Sequence, residues 1–131
     1  MLVIDAQVHA YECNHKNRPW IDELVGPDEV TGENLVKEME CVGVDGAILV
    51  SPWTMYRYDA SYAQSVYEKY PNKFRLVKPV DPNNPEVGEI IQEWAKNNGA
   101  VAIRLMLAYE EQRNLSDHGL DVVMRTASRC N

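Results

Sequence analysis

A chain of 131 residues carrying a net charge of −7 is one domain in length. Its charge has the wrong sign for a nucleic-acid partner, which needs clustered Lys and Arg to neutralise phosphates. Apolar residues make up 45% and charged residues 25%, an ordinary soluble composition. No run approaches the roughly 18 apolar residues of a membrane span, so no membrane partner is expected.

The chain opens directly on a strand, Val3–Ala10, without the basic segment and apolar run of a signal peptide. Cys13, Cys41 and Cys130 are odd in number and scattered, which points to reduced thiols in the cytoplasm rather than a disulfide framework. Alternation along the strand puts Asp5, Gln7 and His9 on one side and Ile4, Ala6 and Val8 on the other. A loop from Tyr11 to Val30 follows; at about 20 residues it is long for a βα connection. Thr31 is a candidate N-cap for a helix with Leu35, Met39 and Val42 at helical spacing, stopped by Gly43.

Ala47–Pro52 reads as a buried second strand and Trp53–Tyr58 as an aromatic loop. A second helix from about Asp59, with Ser61-x-x-Gln64 as a capping box, carries Ala63, Val66, Tyr67 and Tyr70 on one face. Phe74–Val80 is the third strand. Asn84 as N-cap and Pro85 at the first helical position start a third helix, striped by Val87, Ile90, Ile91, Trp94 and Ala95. Ala100–Leu107 is the fourth strand, with Val101, Ile103 and Leu105 expected against helices and Ala102, Arg104 and Met106 facing inward. A last helix from about Gly119 presents Leu120, Val123, Met124 and Ala127 and runs towards Asn131. The order βαβαβαβα predicts an α/β fold of parallel strands in a single domain over residues 1–131. Without G-x-G-x-x-G or a P-loop after the first strand, a doubly wound nucleotide-binding sheet is disfavoured.

Reactive groups of parallel α/β folds sit at the C-terminal ends of strands, where His9 lies. An imidazole there can bind a metal, hold a carbonyl or move a proton; the alternative is a polar cluster in which Asp5 and Gln7 satisfy one another. Arg104, inward on strand four, suits a carboxylate, with an internal salt bridge to Asp5 as the alternative. Trp20, Trp53, Tyr56 and Tyr58 can roof a pocket for a ring-shaped ligand or merely cap the core, and Ser51 ends strand two beside them. Cys13 and His15 could join His9 at a metal, though a loop with chance residues explains them as well. His118, Glu86, Glu89 and Glu93 read as solvated; Trp94, Tyr67 and Tyr70 read as packing.

In order and spacing, several short motifs resemble the amidohydrolase-related (amidohydrolase 2) branch of the amidohydrolase superfamily. They are Ile4-Asp5-Ala6-Gln7-Val8-His9, Val42-Gly43-Val44-Asp45-Gly46-Ala47, Lys73-Phe74, Pro79-Val80-Asp81-Pro82 and Ala102-Ile103-Arg104-Leu105. The resemblance covers essentially the whole chain and implies the first half of a (β/α)8 TIM barrel among metal-dependent hydrolases and decarboxylases. It implies that Arg104 faces the pocket and that His9 is a metal ligand or substrate contact. Gln7 stands where that family has its first ligand histidine, and an amide is a poor zinc ligand. The expected cofactor is therefore none, or a weakly held divalent metal, zinc if present; lactonase-like relatives work without one. The family's later histidine and general-base aspartate would lie beyond Asn131.

The sequence reading is thus a hydrolase acting on a small carboxylated lactone, ester or amide. His9 and Gln7 would be catalytic, with Arg104, Trp20, Ser51, Trp53 and Tyr56 around the substrate. The chain is expected to be a fragment of a longer barrel. The alternative is a non-catalytic half-barrel that binds a ligand or self-associates as a homo-oligomer.

Overall fold

A computed structural model describes residues 1–107 and 116–130. Its elements are β1 (Ile4–Val8), α1 (Gly32–Val42), β2 (Gly46–Val50), α2 (Trp53–Tyr56), α3 (Ser61–Lys69), β3 (Phe74–Pro79), α4 (Val87–Ala95), β4 (Ala100–Arg104) and α5 (His118–Arg129). The four strands are parallel and lie in sequence order, β1-β2-β3-β4. A doubly wound sheet reverses direction at a switch point; this one does not. Asn131, towards which the last helix was expected to run, lies outside the described residues.

One face of the sheet carries the core. Ala47 and Leu49 of β2 and Phe74 and Leu76 of β3 pack against Met39 of α1, Ala63 and Val66 of α3 and Trp94 of α4. A second cluster joins Val80, Val87, Ile91 and Val123, with Ile103 and Leu105 against it. Local signals end α1 as expected: Thr31 accepts from the Asn34 N–H, and Gly43 takes φ of 77°, a left-handed turn that favours glycine. The start of α3 differs. Asp59, rather than Ser61, accepts the free N–H, and Ser61 is already the first helical residue. Asn84 accepts from the Glu86 N–H as a cap should, while regular helix begins at Val87. The expected aromatic loop contains the short α2.

Both edge strands are bulged, and this corrects two expectations. On β1, Asp5 pairs with Ala47 and Val8 with Leu49, so three steps on β1 match two on β2. The extra residue breaks strict alternation. Asp5 falls on the face of Val8 and the helix-side core, leaving Gln7 and His9 together on the other. On β4, Leu76 pairs with Ala100 and Val77 with Ala102, which leaves Val101 as the extra residue. Val101 is 54% exposed instead of packed beneath helices. Ile4 at 49% exposure and Met124 at 64% also lie outside the core. Among the described residues β1 pairs only with β2 and β4 only with β3, so little packs against these rims.

Candidate functional site

The inner face, away from the helix-side core, carries Gln7 and His9 from β1, Ile48 and Val50 from β2, Val77 and Pro79 from β3, and Ala102 and Arg104 from β4, as the pairings require. At the C-terminal end of β1, His9 Nδ1 lies 2.7 Å from the Val50 carbonyl oxygen. Its Nε2 lies 3.3 Å from the side-chain nitrogen of Gln7. His9 is half-buried and Gln7 exposed. Asp5 accepts from the Gln7 backbone N–H at 3.0 Å and takes no part in the imidazole's contacts.

Arg104 is half-buried at the matching end of β4, opposite Pro79. Among the described residues no ion pair joins it to Asp5. Three strand spacings of about 4.8 Å separate β1 from β4, so about 14 Å of sheet lies between His9 and Arg104. Arg75, on the same face at the far end, folds back onto the Pro71 and Phe74 carbonyls and stays away from this mouth.

The long loop after β1 is tied down by a residue that sequence reasoning passed over, Glu12. Its carboxylate takes Arg18 at 2.5 Å and His15 at 2.8 Å on one oxygen. Its backbone carbonyl accepts from Trp20 Nε1 at 2.9 Å and from the Tyr56 hydroxyl at 3.4 Å. Arg18 also lies over the Tyr62 ring, 5.2 Å from its centre. Burial pushes the Tyr56 and Tyr62 hydroxyls above their ordinary range, by disfavouring the phenolate. Apart from the neighbouring His15, nothing in the local pattern around Glu12 announces this node, because its other partners come from Arg18 onward and from α2.

Trp20 stacks edge-on against Tyr11 with ring centres 5.8 Å apart. Trp53 sits edge-on to Tyr58 and under the Arg57 guanidinium, 4.1 Å from the ring centre. Arg57 itself pairs with Asp22 and caps α2 by donating to the Trp53 and Thr54 carbonyls. These bonds hold it at φ of 49°, a conformation costing on the order of 1 kcal/mol for a residue with a side chain. Ser51 is 1% exposed, and its hydroxyl donates to the Asp59 carbonyl at 2.7 Å. Tyr56 is buried on Glu12, so Ser51 and Tyr56 have committed hydroxyls while Trp20 and Trp53 remain partly open.

The described residues do not by themselves form a complete metal site. His15 is bonded to Glu12 and Cys13 is exposed, and no three His, Cys, Asp or Glu side chains among the described residues form a group that could hold one. The outward nitrogen of His9 faces an amide. No helix among the described residues is long and apolar enough to cross a membrane.

Comparison with solved structures finds the same arrangement over nearly all of the chain. A probable 2-pyrone-4,6-dicarboxylic acid hydrolase from Acinetobacter baumannii, with citric acid bound, matches with a TM-score of 0.78 and 18% identity. The match covers 99% of this chain and 47% of that one. The fold is the first half of a TIM barrel. An apo protein from Agrobacterium tumefaciens matches at TM-score 0.68 and 19% identity over 97% of this chain and 44% of the other. A 5-carboxyvanillate decarboxylase from Novosphingobium aromaticivorans, with manganese and 3-methoxy-4-hydroxy-5-nitrobenzoic acid bound, matches at TM-score 0.67 and 17% identity, over 98% and 48%. The chain therefore spans about half the length of these neighbours. No family model and no curated protein matches it.

Proposed function

We propose that residues 1–131 form the N-terminal half of an amidohydrolase-related barrel whose site hydrolyses a small carboxylated lactone, ester or amide. The observation that carries this reading is the inner face itself, with His9 and Gln7 at the mouth of β1 and Arg104 at the mouth of β4. Arg104 holds the substrate carboxylate through its planar fork, and His9 with Gln7 addresses the carbonyl and the attacking water. Trp20 and Trp53 border the ring, with Ser51 and Tyr56 shaping the floor beneath them. Two of the structural neighbours hold small carboxylated ligands, citric acid and a nitrobenzoic acid. The expected cofactor is none or a divalent cation such as zinc, which would be held weakly, by His9. The cytoplasm is the compartment in which three exposed free thiols persist.

Titration of the labelled chain with 2-pyrone-4,6-dicarboxylate, followed by NMR, tests this. The His9 ring and Arg104 side-chain signals should shift with saturation, and Arg104→Met should weaken binding about tenfold, the loss of one charge-assisted contact of about 1.4 kcal/mol. Equal shifts from an uncharged lactone of the same size would overturn the reading.

A second reading rests on the two bare rims. Unpaired parallel strands bearing exposed Ile4 and Val101, with Met124 beside the latter, favour self-association into a homo-oligomer that closes the sheet without catalysis. Light scattering on the purified chain decides it: a dimer supports assembly, and a folded monomer at high concentration excludes it.

A further inference from the structure

Resting on the reading above, in which the strand mouths face the ligand, the structure holds a cation there that the reading leaves unused. Arg57 follows α2, the short helix after the C-terminal end of β2. The Asp59 N–H donates to the Tyr56 carbonyl at 3.0 Å, which closes a four-residue turn with Arg57 in its second position. Its φ of 49° and ψ of −114° are those of a type II′ turn, where that position favours glycine. An arginine stands there instead, so the strained backbone is offset by what the side chain does. Nη1 donates to the Trp53 carbonyl at 3.0 Å and to the Thr54 carbonyl at 2.8 Å, and the guanidinium lies on the Trp53 ring. Those contacts fix the plane of the cation.

The remaining edge of the fork is half used. Nη2 donates to one oxygen of Asp22, and among the described residues Nε has no acceptor. A carboxylate seated on Nη2 and Nε together makes two parallel bonds where Asp22 makes one. Asp22 is 57% exposed and Arg57 25%, so the cation is the anchored member and the anion the replaceable one. Exposed ion pairs of this kind hold weakly. We propose that Arg57 is a carboxylate-binding site at the rim of the mouth, filled at rest by Asp22, which an incoming ligand carboxylate displaces. The site is separate from the inner face, since Arg57 comes from the connection after β2 and Arg104 from β4. Trp53 links the two, because the ring that carries the guanidinium also borders the ligand.

The test measures binding alone, with citrate as the probe, so it does not depend on hydrolysis. In the 15N-labelled full chain the Arg57 Nε signal should shift with saturation as citrate is added. Asp22→Asn removes the resident carboxylate and should tighten citrate about two- to fivefold, the scale of one exposed ion pair. Arg57→Gly suits the turn, so it should keep the wild-type backbone spectrum and weaken citrate about tenfold, the scale of a charge-assisted contact. Unchanged or weaker citrate binding in Asp22→Asn would make the pair purely structural and overturn the proposal. An Arg57 signal that citrate does not move would do the same. Shifts at His9 and Arg104 without one at Arg57 would refute this site and leave the hydrolase reading standing. A shift at Arg57 with none at His9 or Arg104 would support the site and count against that reading.

Discussion

Arg18 and Glu12 meet at 2.5 Å at the root of the long loop after β1, and His15 shares the same carboxylate oxygen. Glu12 and Arg18 are each about a quarter exposed, so their charges are partly desolvated and hydrogen-bonded. Glu12→Ala should lower the unfolding free energy by about 1–3 kcal/mol, the usual value of hydrogen bonds to charged groups. It should also open residues 13–29 to proteolysis. A cleavage pattern identical to wild type would mean that Trp20 and the Arg57–Asp22 pair hold the loop without it.

Ser51 ties the end of β2 to the entry of α3 through its bond to the Asp59 carbonyl. Removing the hydroxyl deletes a part-buried hydrogen bond to the carbonyl of the exposed Asp59, at a cost of about 0.5–1.5 kcal/mol. Ser51→Ala should shift the urea midpoint down with an unchanged slope. A midpoint within error of wild type would show that water replaces the hydroxyl.

Helices α1 and α3 touch at Gly32 and Val66. A Cβ on Gly32 would stand 2.4 Å from one Val66 methyl and 2.8 Å from the other, and Val66 is buried. Gly32→Ala should therefore destabilise by about 1–3 kcal/mol, the range for overpacking. Adding Val66→Ala should cost less in that background than alone. Additive costs would mean that the helices separate freely.

Stability should fall on the alkaline side through Tyr56 and Tyr62. Burial raises both hydroxyls in the folded state from an ordinary value of 10.0, so the unfolded chain ionises first. Their contribution is complete below about pH 10 and is lost as pH rises through the folded values. The Tyr56→Phe, Tyr62→Phe double variant should flatten the alkaline limb of a midpoint-versus-pH curve; an unchanged limb would assign the loss elsewhere. On the acid side, Lys69 and then Lys37 hold the Glu33 carboxyl below its usual range. That contribution is present at neutral pH and disappears as pH falls through the lowered value. Because Glu33 is fully exposed, added salt should weaken it.

Signals confined to neighbouring residues were legible in the sequence. Thr31 and Gly43 bracket α1 because capping depends on a few adjacent atoms, and the alternation of apolar runs gave the strand order. His9 at a strand end and Arg104 facing inward followed from the same reasoning. What escaped depends on pairing between strands or on distant partners. The bulges at Asp5–Val8 and at Val101 exist only relative to β2 and β3, so alternation alone put Asp5 on the wrong face. Glu12 gathers Arg18, Trp20 and Tyr56, and no periodicity encodes that meeting. The Val50 carbonyl is backbone and has no residue type to read.

The extra residue in β1 also governs how that strand can change in length. In a regular strand, losing one residue turns every side chain on one side of the cut to the opposite face. Here the pairings Asp5–Ala47 and Val8–Leu49 already absorb one residue. Excising Ala6 would straighten the strand while Asp5 stays beside Ala47 and Val8 beside Leu49. His9 would keep its carbonyl on β2. The strand bearing the imidazole is therefore one in which the loss of a single residue between Asp5 and Val8 leaves His9 in place.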